Sequence, residues 1–224
     1  MLNSKLFLML MTTAMAGCTH TDPALSLQPR ASMKAGDYEK VLEDWTREDR
    51  LYDELESKLF VHATFHSPEF RKTFLLRHPD VYGRGSETAR RLALTLPDAG
   101  EDIEFFFSAF TTDIRWNDFD QVDSIWRVEL KSNQSESVDG EVTRVKTTAN
   151  LRAIYPFITD FSRTYVVRFP RTDASGKPVL ASSSEEIELH FRSALGGAKL
   201  MWKLIPVATA RREPFPPTRE LVAR

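Results

Sequence analysis

The sequence predicts a mainly β protein with two or three short helices, folded as an antiparallel β-sandwich. Three observations predict this class. Six or seven segments alternate apolar and polar residues with a period of two, and turn sequences separate many of them. The helical patterns form an insertion near the N-terminal side. The chain also has 15 Phe, 5 Tyr and 4 Trp but only 9 Gly, a composition that suits a well-packed core.

The first part of the body combines a helical pattern with a strand pattern. Residues 37–56 are highly charged, and their apolar positions predict a helix that begins near Asp37 and ends before Leu51. The nine residues KLFVHATFH, residues 58–66, then alternate strictly between apolar and other positions. This alternation predicts a strand with one buried face.

Two short helices are predicted after this strand. Ser67 is a good N-cap, Pro68 suits the first helical position, and Pro79 requires the first of these helices to end before it. Ser86 offers an N-cap for the second helix, which Pro97 ends. We expect the two helices to form an insertion or a flap at one end of the sandwich.

From Glu101 onward the pattern is β. The predicted strands are residues 103–110, 125–132, 141–147, 163–170 and 186–193, followed by 199–205. A turn at Asp139-Gly140 predicts that the second and third of these strands pair as a long hairpin. A turn at Gly196-Gly197 predicts a hairpin between the last two. The number and spacing of the strands are typical of an antiparallel sandwich or barrel, and of these we predict an immunoglobulin-like sandwich.

Strand phase assigns three large aromatic residues to the core. Trp126, Tyr165 and Trp202 each share a strand face with two apolar residues, whereas the opposite faces are mostly polar. A slip of one residue would expose each apolar set, so the phase is strongly specified. Trp116 has no such partners, and we expect it to lie outside the core.

The sequence of 224 residues predicts a division into four parts. They are a signal peptide at 1–17, a flexible tether at 18–35, a single β-rich domain at 36–210 and a loose, Pro-rich tail at 211–224. The formal net charge is −2, without the basic excess of a nucleic-acid binder, so we expect no nucleic-acid partner. Because the chain has one cysteine, no disulfide within the chain stabilises the fold.

The N-terminus has the three-part layout of a secretory signal peptide. In MLNSKLFLMLMTTAMAG, Lys5 precedes the apolar run from Leu6 to Met11, and small residues follow. The run is much shorter than the ~20 residues that cross a hydrocarbon core. No other segment approaches that length, so we expect no transmembrane helix.

The next residues resemble a known processing motif. Met15-Ala16-Gly17-Cys18 resembles the lipobox of bacterial lipoproteins and departs from it only at Met15, where leucine is usual. The resemblance implies that Cys18 is diacylated on sulfur, that the signal is cut before it, and that the lipid anchors the protein. Thr19 is not the aspartate that holds such proteins in the inner membrane. The resemblance therefore implies the periplasmic face of the outer membrane. The alternative is a lone thiol behind an ordinary cleaved signal.

The rest of the sequence contains no recognisable catalytic or metal-binding motif. It has no HExxH, no Cys-His cluster and no GxSxG. His62 and His66 share a strand face but are ~13 Å apart, too far to chelate one metal. We therefore expect no catalytic residue, no metal and no cofactor.

One acidic run is a candidate contact loop. The sequence TTDIRWNDFDQVDS contains Asp113, Asp118 and Asp120 around Trp116. The aspartates would either line a calcium site or form a solvated loop, although the EF-hand pattern is absent. An exposed Trp116 would favour contact with a partner or a carbohydrate. The alternative is a tryptophan that folds back to seal one end of the sandwich.

These observations favour a non-enzymatic, lipid-anchored envelope protein whose body acts as a binding or assembly module. Its partners would be the membrane, through the lipid on Cys18, and an envelope protein or glycan. Two alternatives stay open. One is an envelope hydrolase that acts on cell-wall or lipid material, and the other is a small-ligand carrier with an apolar cavity between its sheets.

Overall fold

Two five-stranded β-sheets face each other in the part of the chain that the computed structural model describes, residues 22–30, 32–78 and 102–206. In spatial order, the first sheet contains β1 (Leu25–Ser26), β10 (Gly196–Ile205), β9 (Glu186–Ser193), β5 (Arg127–Ser132) and β6 (Val138–Asp139). The second contains β2 (Thr46–Asp53), β3 (Glu56–Phe65), β4 (Ile103–Thr111), β8 (Arg163–Phe169) and β7 (Glu141–Val145). All neighbouring strands are antiparallel except β1 and β10. The predicted mainly β, sandwich-like class is confirmed, whereas the strand order does not confirm the immunoglobulin-like type.

Three short α-helices accompany the sheets in the described residues. They are α1 (Tyr38–Trp45), α2 (Pro68–Arg77) and α3 (Ala149–Ile154). The predicted cap of α2 is present, because the Ser67 hydroxyl accepts a hydrogen bond from the Phe70 amide at 3.1 Å. The sequence did not predict α3, and the helix predicted between Ser86 and Pro97 lies outside the described residues. No helix in the described residues has the length and hydropathy to span a membrane.

Aromatic side chains from both sheets fill the core. The ring of Phe105 on β4 lies 5.3 Å from that of Trp202 on β10, and Phe107 lies 5.1 Å from Phe191 on β9. Trp202 and Tyr165 are 0% exposed and Trp126 is 6% exposed, as strand phase predicted. The core therefore follows from the period-two pattern of the strands.

The predicted hairpin between residues 125–132 and 141–147 is wrong. β5 pairs with β6 and β9 in the first sheet, whereas β7 pairs with β8 in the second. The chain crosses between the sheets at Gly140. A Cβ there would lie 2.4 Å from Val167 Cγ2 and 2.6 Å from Phe169 Cε1, so only glycine allows this close passage.

The other predicted hairpin, between β9 and β10, is confirmed, with its turn moved by two residues. Gly196 and Gly197 already pair with Ser193 and Arg192, so Ala194 and Leu195 form the turn. Gly196 has φ +120°, a conformation that residues with a side chain rarely adopt. The glycine signal thus marks the end of the turn and not its centre.

The predicted flexible tether, residues 18–35, is corrected in its described part. Leu25 is 7% exposed and pairs with Leu204 on β10. Arg30 Nε lies 2.6 Å from the buried carboxylate of Glu69, and Met33 packs against the core. The free edge of β10 and the apolar surface beside it hold this segment, although its own sequence has no periodic pattern.

Candidate contact surface

The predicted contact loop connects β4 to β5 and lies at one end of the sandwich. In the second sheet, Leu59 pairs with Thr111 and Ala109 pairs with Arg163, so the β2–β3 turn and the residues before β8 lie at the same end. The β9–β10 turn also lies there, because Arg192 pairs with Arg127 at the start of β5. We define the loop end as residues 52–56, 112–125, 159–162 and 194–195.

The loop end carries most of the exposed large hydrophobic side chains. Seven such side chains occur in the described residues, and six of them lie at this end: Tyr52, Leu55, Ile114, Val122, Ile125 and Phe161. Leu55 and Val122 are fully exposed. The seventh, Ile205, lies at the opposite end of β10. Single exposed apolar residues are normal on a protein surface, but their concentration in one region is typical of an interaction site.

The loop end is also strongly acidic. Its single basic residue is Arg115, and its eight acidic residues are Asp53, Glu54, Glu56, Asp113, Asp118, Asp120, Asp123 and Asp160. Lys58 on β3 pairs with Asp53 and Glu56, and Arg152 on α3 pairs with Asp160. Arg163 also borders the loop end and donates to the carbonyl of Asn117, whereas Arg127 and Arg192 pair with Asp139 and Glu129 outside it. The eight acidic residues therefore still outnumber the four cations Arg115, Lys58, Arg152 and Arg163.

The aspartates predicted to contact a partner are held by their neighbours in the loop. The Asp113 carboxylate accepts from the Arg115 amide at 2.9 Å and pairs with its guanidinium, which lowers the pKa of Asp113. The Asp118 carboxylate accepts a hydrogen bond from the Ser124 hydroxyl at 2.9 Å, and the Asp120 carboxylate accepts one from the side-chain amide of Gln121 at 3.0 Å. In the described residues, no group of three His, Cys, Asp or Glu side chains could hold a metal ion.

A buried network fixes the base of the loop. Asn117 donates from its side chain to the carbonyl of Ala109 at 2.8 Å and accepts from the Tyr165 hydroxyl at 2.9 Å. Burial raises the pKa of Tyr165 to about 12, so this hydroxyl stays a donor. Trp126 Nε1 donates to the carbonyl of Trp116 at 2.7 Å. The loop is therefore presented by a rigid scaffold, as binding loops often are.

Trp116 itself lies between the two predicted alternatives. Its ring is partly buried, and the Lys58 ammonium lies 5.8 Å from the ring centroid. This is within the range of a cation–π contact. Trp116 is thus outside the core, as predicted, but it contacts the β2–β3 hairpin and does not project freely into solvent.

A cleft on the outer side of the second sheet was not predicted from the sequence. It has a volume of about 760 Å³ and is lined by residues of all three helices or their ends, together with β2 and β3. His62 stacks on Phe157 at 5.4 Å and lies 2.6 Å from the Glu48 carboxylate. Arg47 and His78 also line this wall, and their atoms Nη2 and Nε2 are buried with no hydrogen-bond partner among the described residues. Asp22 and residues from 38–78 and 153–157 line the cleft together, so no local sequence motif predicts it.

A second polar cluster lies beside the cleft, around His66. His66 Nδ1 lies 2.8 Å from the Glu104 carboxylate and Nε2 lies 2.9 Å from the Tyr155 hydroxyl, while Arg168 pairs with the other Glu104 oxygen at 2.8 Å. Burial lowers the pKa of His66. Burial alone would raise the pKa of Glu104, but the hydrogen bond to His66 and the charges of Arg168 and Arg71 lower it to about 2. Both ring nitrogens are occupied, which suits a structural role.

This cluster predicts an acid-sensitive contribution to stability. The pKa of Glu104 in the folded state is below its usual 4.5. The ionised carboxylate therefore contributes fully to the free energy of unfolding above pH 4.5, and this contribution is lost as the pH falls towards 2. We expect Glu104→Gln to reduce the fall in the free energy of unfolding between pH 5 and 2.5, measured by urea denaturation. Glu136→Gln, at an exposed position outside the cluster, is the control. Equal acid dependence of both variants and the wild type would contradict the prediction.

Comparison with known proteins adds one structural neighbour. No family model matches the chain, and no curated protein matches it. Among solved structures, the chain is similar to the crystal structure of a novel protein of unknown function from Burkholderia pseudomallei K96243. The two are 11% identical with a TM-score of 0.34, and the match covers 80% of this chain and 94% of that one.

Proposed function

We propose that the protein is a lipid-anchored component of the bacterial cell envelope, at the periplasmic face of the outer membrane. Its β-rich body would act as a non-enzymatic binding or assembly module, with the loop end as its contact surface. The concentration of exposed large hydrophobic side chains on that end carries the proposal. We also propose that the sandwich is of the immunoglobulin-like type. Two facing and largely antiparallel sheets support this proposal.

The anchor is proposed from the lipobox-like residues before Thr19. Asp22 lies four residues after Cys18, and its carboxylate pairs with Arg47 Nε at 3.2 Å. Four extended residues span at most ~14 Å. A lipid on Cys18 would therefore hold the body close to the membrane surface.

We expect Cys18→Ala to abolish lipidation. The chain expressed in a Gram-negative bacterium with labelled palmitate should incorporate label and partition into detergent, because two or more acyl chains give durable anchoring. The variant should do neither. Thr19→Ala, which keeps the cysteine, is the matched control for labelling. Equal label in the wild type and Cys18→Ala would refute the anchor without bearing on the contact surface.

Of the alternatives, the hydrolase is favoured by one specific observation. His62 and Glu48 form a histidine–carboxylate pair in the wall of the cleft, an arrangement found in general acid–base sites. The carrier would need space between the sheets. That space is filled by the side chains of Phe105, Phe191 and Trp202, which are 0% exposed. We therefore propose that binding occurs on the outer surface of the body and not between the sheets.

A further inference from the structure

We infer that the loop end docks a protein whose contact surface is apolar and framed by lysine and arginine, and that it does not dock the lipid bilayer. The inference rests on the proposed binding function and identifies its partner class. Both the membrane and a protein are plausible occupants of an exposed apolar surface on a lipid-anchored protein. The charge of the loop end distinguishes them.

The apolar part of the surface is built from separate segments. Leu55 is at the tip of the β2–β3 turn, Val122 is in the loop before β5, and Phe161 lies two residues before the start of β8. Tyr52 continues the surface onto the second sheet, where its ring lies 5.7 Å from that of Phe60. Three chain segments thus expose apolar side chains at one end of the body. These side chains remain exposed because no other described residue covers them.

The charged part of the surface disfavours an anionic bilayer. Apart from Arg115, which is paired with Asp113, the charged residues of the loop end are acidic. Such a surface is repelled by anionic lipid headgroups, which attract lysine and arginine. It is instead complementary to a basic protein surface and would steer such a partner into place.

The rigidity of the loop also favours specific docking. Thr112 donates a hydrogen bond to the carbonyl of Ser57, which ties the loop to the β2–β3 hairpin. Phe119 is 4% exposed and stacks on Trp126 at 5.3 Å. A surface that is already ordered loses little conformational entropy when a partner binds.

Site-specific photo-crosslinking in the intact envelope tests the inference. The full-length chain would carry benzoyl-phenylalanine at Val122 or, as the matched control, at Ile205, the exposed apolar residue of the opposite end. We expect a protein adduct from Val122 and none from Ile205. The adduct should contain a peptide with lysine or arginine beside apolar residues. A lipid adduct, an adduct with a second copy of this chain, equal adducts at both positions or no adduct would each overturn the inference.

Charge reversal supplies an independent criterion. Asp120→Lys combined with Asp123→Lys should reduce the Val122 adduct about tenfold, because like charges across an interface oppose binding. Glu43→Lys with Glu136→Lys makes the same change in net charge at exposed positions outside the loop end and should leave the adduct unchanged. An equal adduct yield in both double variants would overturn the inference.

Vesicle flotation separates the bilayer from a protein partner. The Cys18→Ala chain, which has no site for lipid attachment, should not float with vesicles of phosphatidylethanolamine and phosphatidylglycerol. Flotation that Val122→Asp abolishes would overturn the inference in favour of the membrane. If palmitate labelling fails but the Val122 adduct persists, the anchor is refuted and the partner assignment stands.

Discussion

Replacing Trp202 by alanine is expected to lower the free energy of unfolding by about 3–5 kcal/mol. The side chain is 0% exposed, and its ring lies 5.3 Å from that of Phe105 in the facing sheet. Its Nε1 donates to the carbonyl of Trp45 at 3.0 Å, so truncation also removes a buried hydrogen bond. The cavity would lie between the two sheets, where neither can collapse without moving the other. Denaturant unfolding of the body measures this loss.

Trp116→Ala is the matched comparison. The Trp116 ring is partly buried and its contact with Lys58 is worth about 1 kcal/mol at most at such a site. The carbonyl of residue 116, which accepts from Trp126, remains after substitution. The loss should therefore be a small fraction of that for Trp202→Ala. Equal losses would mean that the loop is part of the core, and the loop end would then be a poor candidate for a contact surface.

Gly140→Ala is expected to destabilise the body by about 1–3 kcal/mol through overpacking. The new Cβ would lie 2.4 Å from Val167 and 2.6 Å from Phe169, far inside van der Waals contact. Both neighbours are buried strand residues, with exposures of 0% and 1%. They cannot move without disturbing β8, the neighbour of both β7 and β4. The measurement is again the denaturant midpoint.

Gly36→Ala provides the control for this prediction. A Cβ at residue 36 would meet nothing within 4 Å, and the residue lies in a short 3-10 turn before α1. The same chemical change should therefore alter stability by no more than about 0.5 kcal/mol. If Gly140→Ala is equally neutral, the crossing between the sheets is looser than the structure indicates, and a hairpin pairing of residues 125–132 with 141–147 would again have to be considered.

Seven of the ten described strands were predictable in position, because burial of one sheet face imposes a period of two on the sequence. The helix predicted from Asp37 to before Leu51 was wrong in its second half: α1 ends at Trp45 and β2 begins at Thr46, and no residue of β2 is fully buried. All of KLFVHATFH except its last residue, His66, lies within β3, and the aromatic residues Trp126, Tyr165 and Trp202 are in the core as their alternation predicted. The cap of α2 was also predictable, since Ser67 and Pro68 act within a single turn of chain. Such features depend on neighbours in sequence, which are visible before the chain folds.

The candidate site was predicted only in part. The acidic loop around Trp116 was identified from its composition, and it lies at the loop end. The exposure of Leu55 and Phe161 at the same end was missed, because single apolar residues in turns carry no sequence pattern. Only the pairing of β3 with β4 and of β4 with β8 brings them to the same end as Val122. The cleft was missed for the same reason, as its walls are distant in sequence.

By itself, the sequence determined a β-rich body with an aromatic core and a lipobox-like N-terminus. Tertiary structure decided the rest. The turn signal at Gly140 is compatible both with a hairpin and with a passage of the chain from one sheet to the other. The passage is identified only by the close approach of Val167 and Phe169, which belong to another strand. Residues 22–30 and 32–35 have no periodic pattern, yet Leu25 is buried because β10 offers a free edge. Strand phase is a local property of the chain, whereas strand partners depend on contacts between distant segments, and those contacts form only in the folded protein.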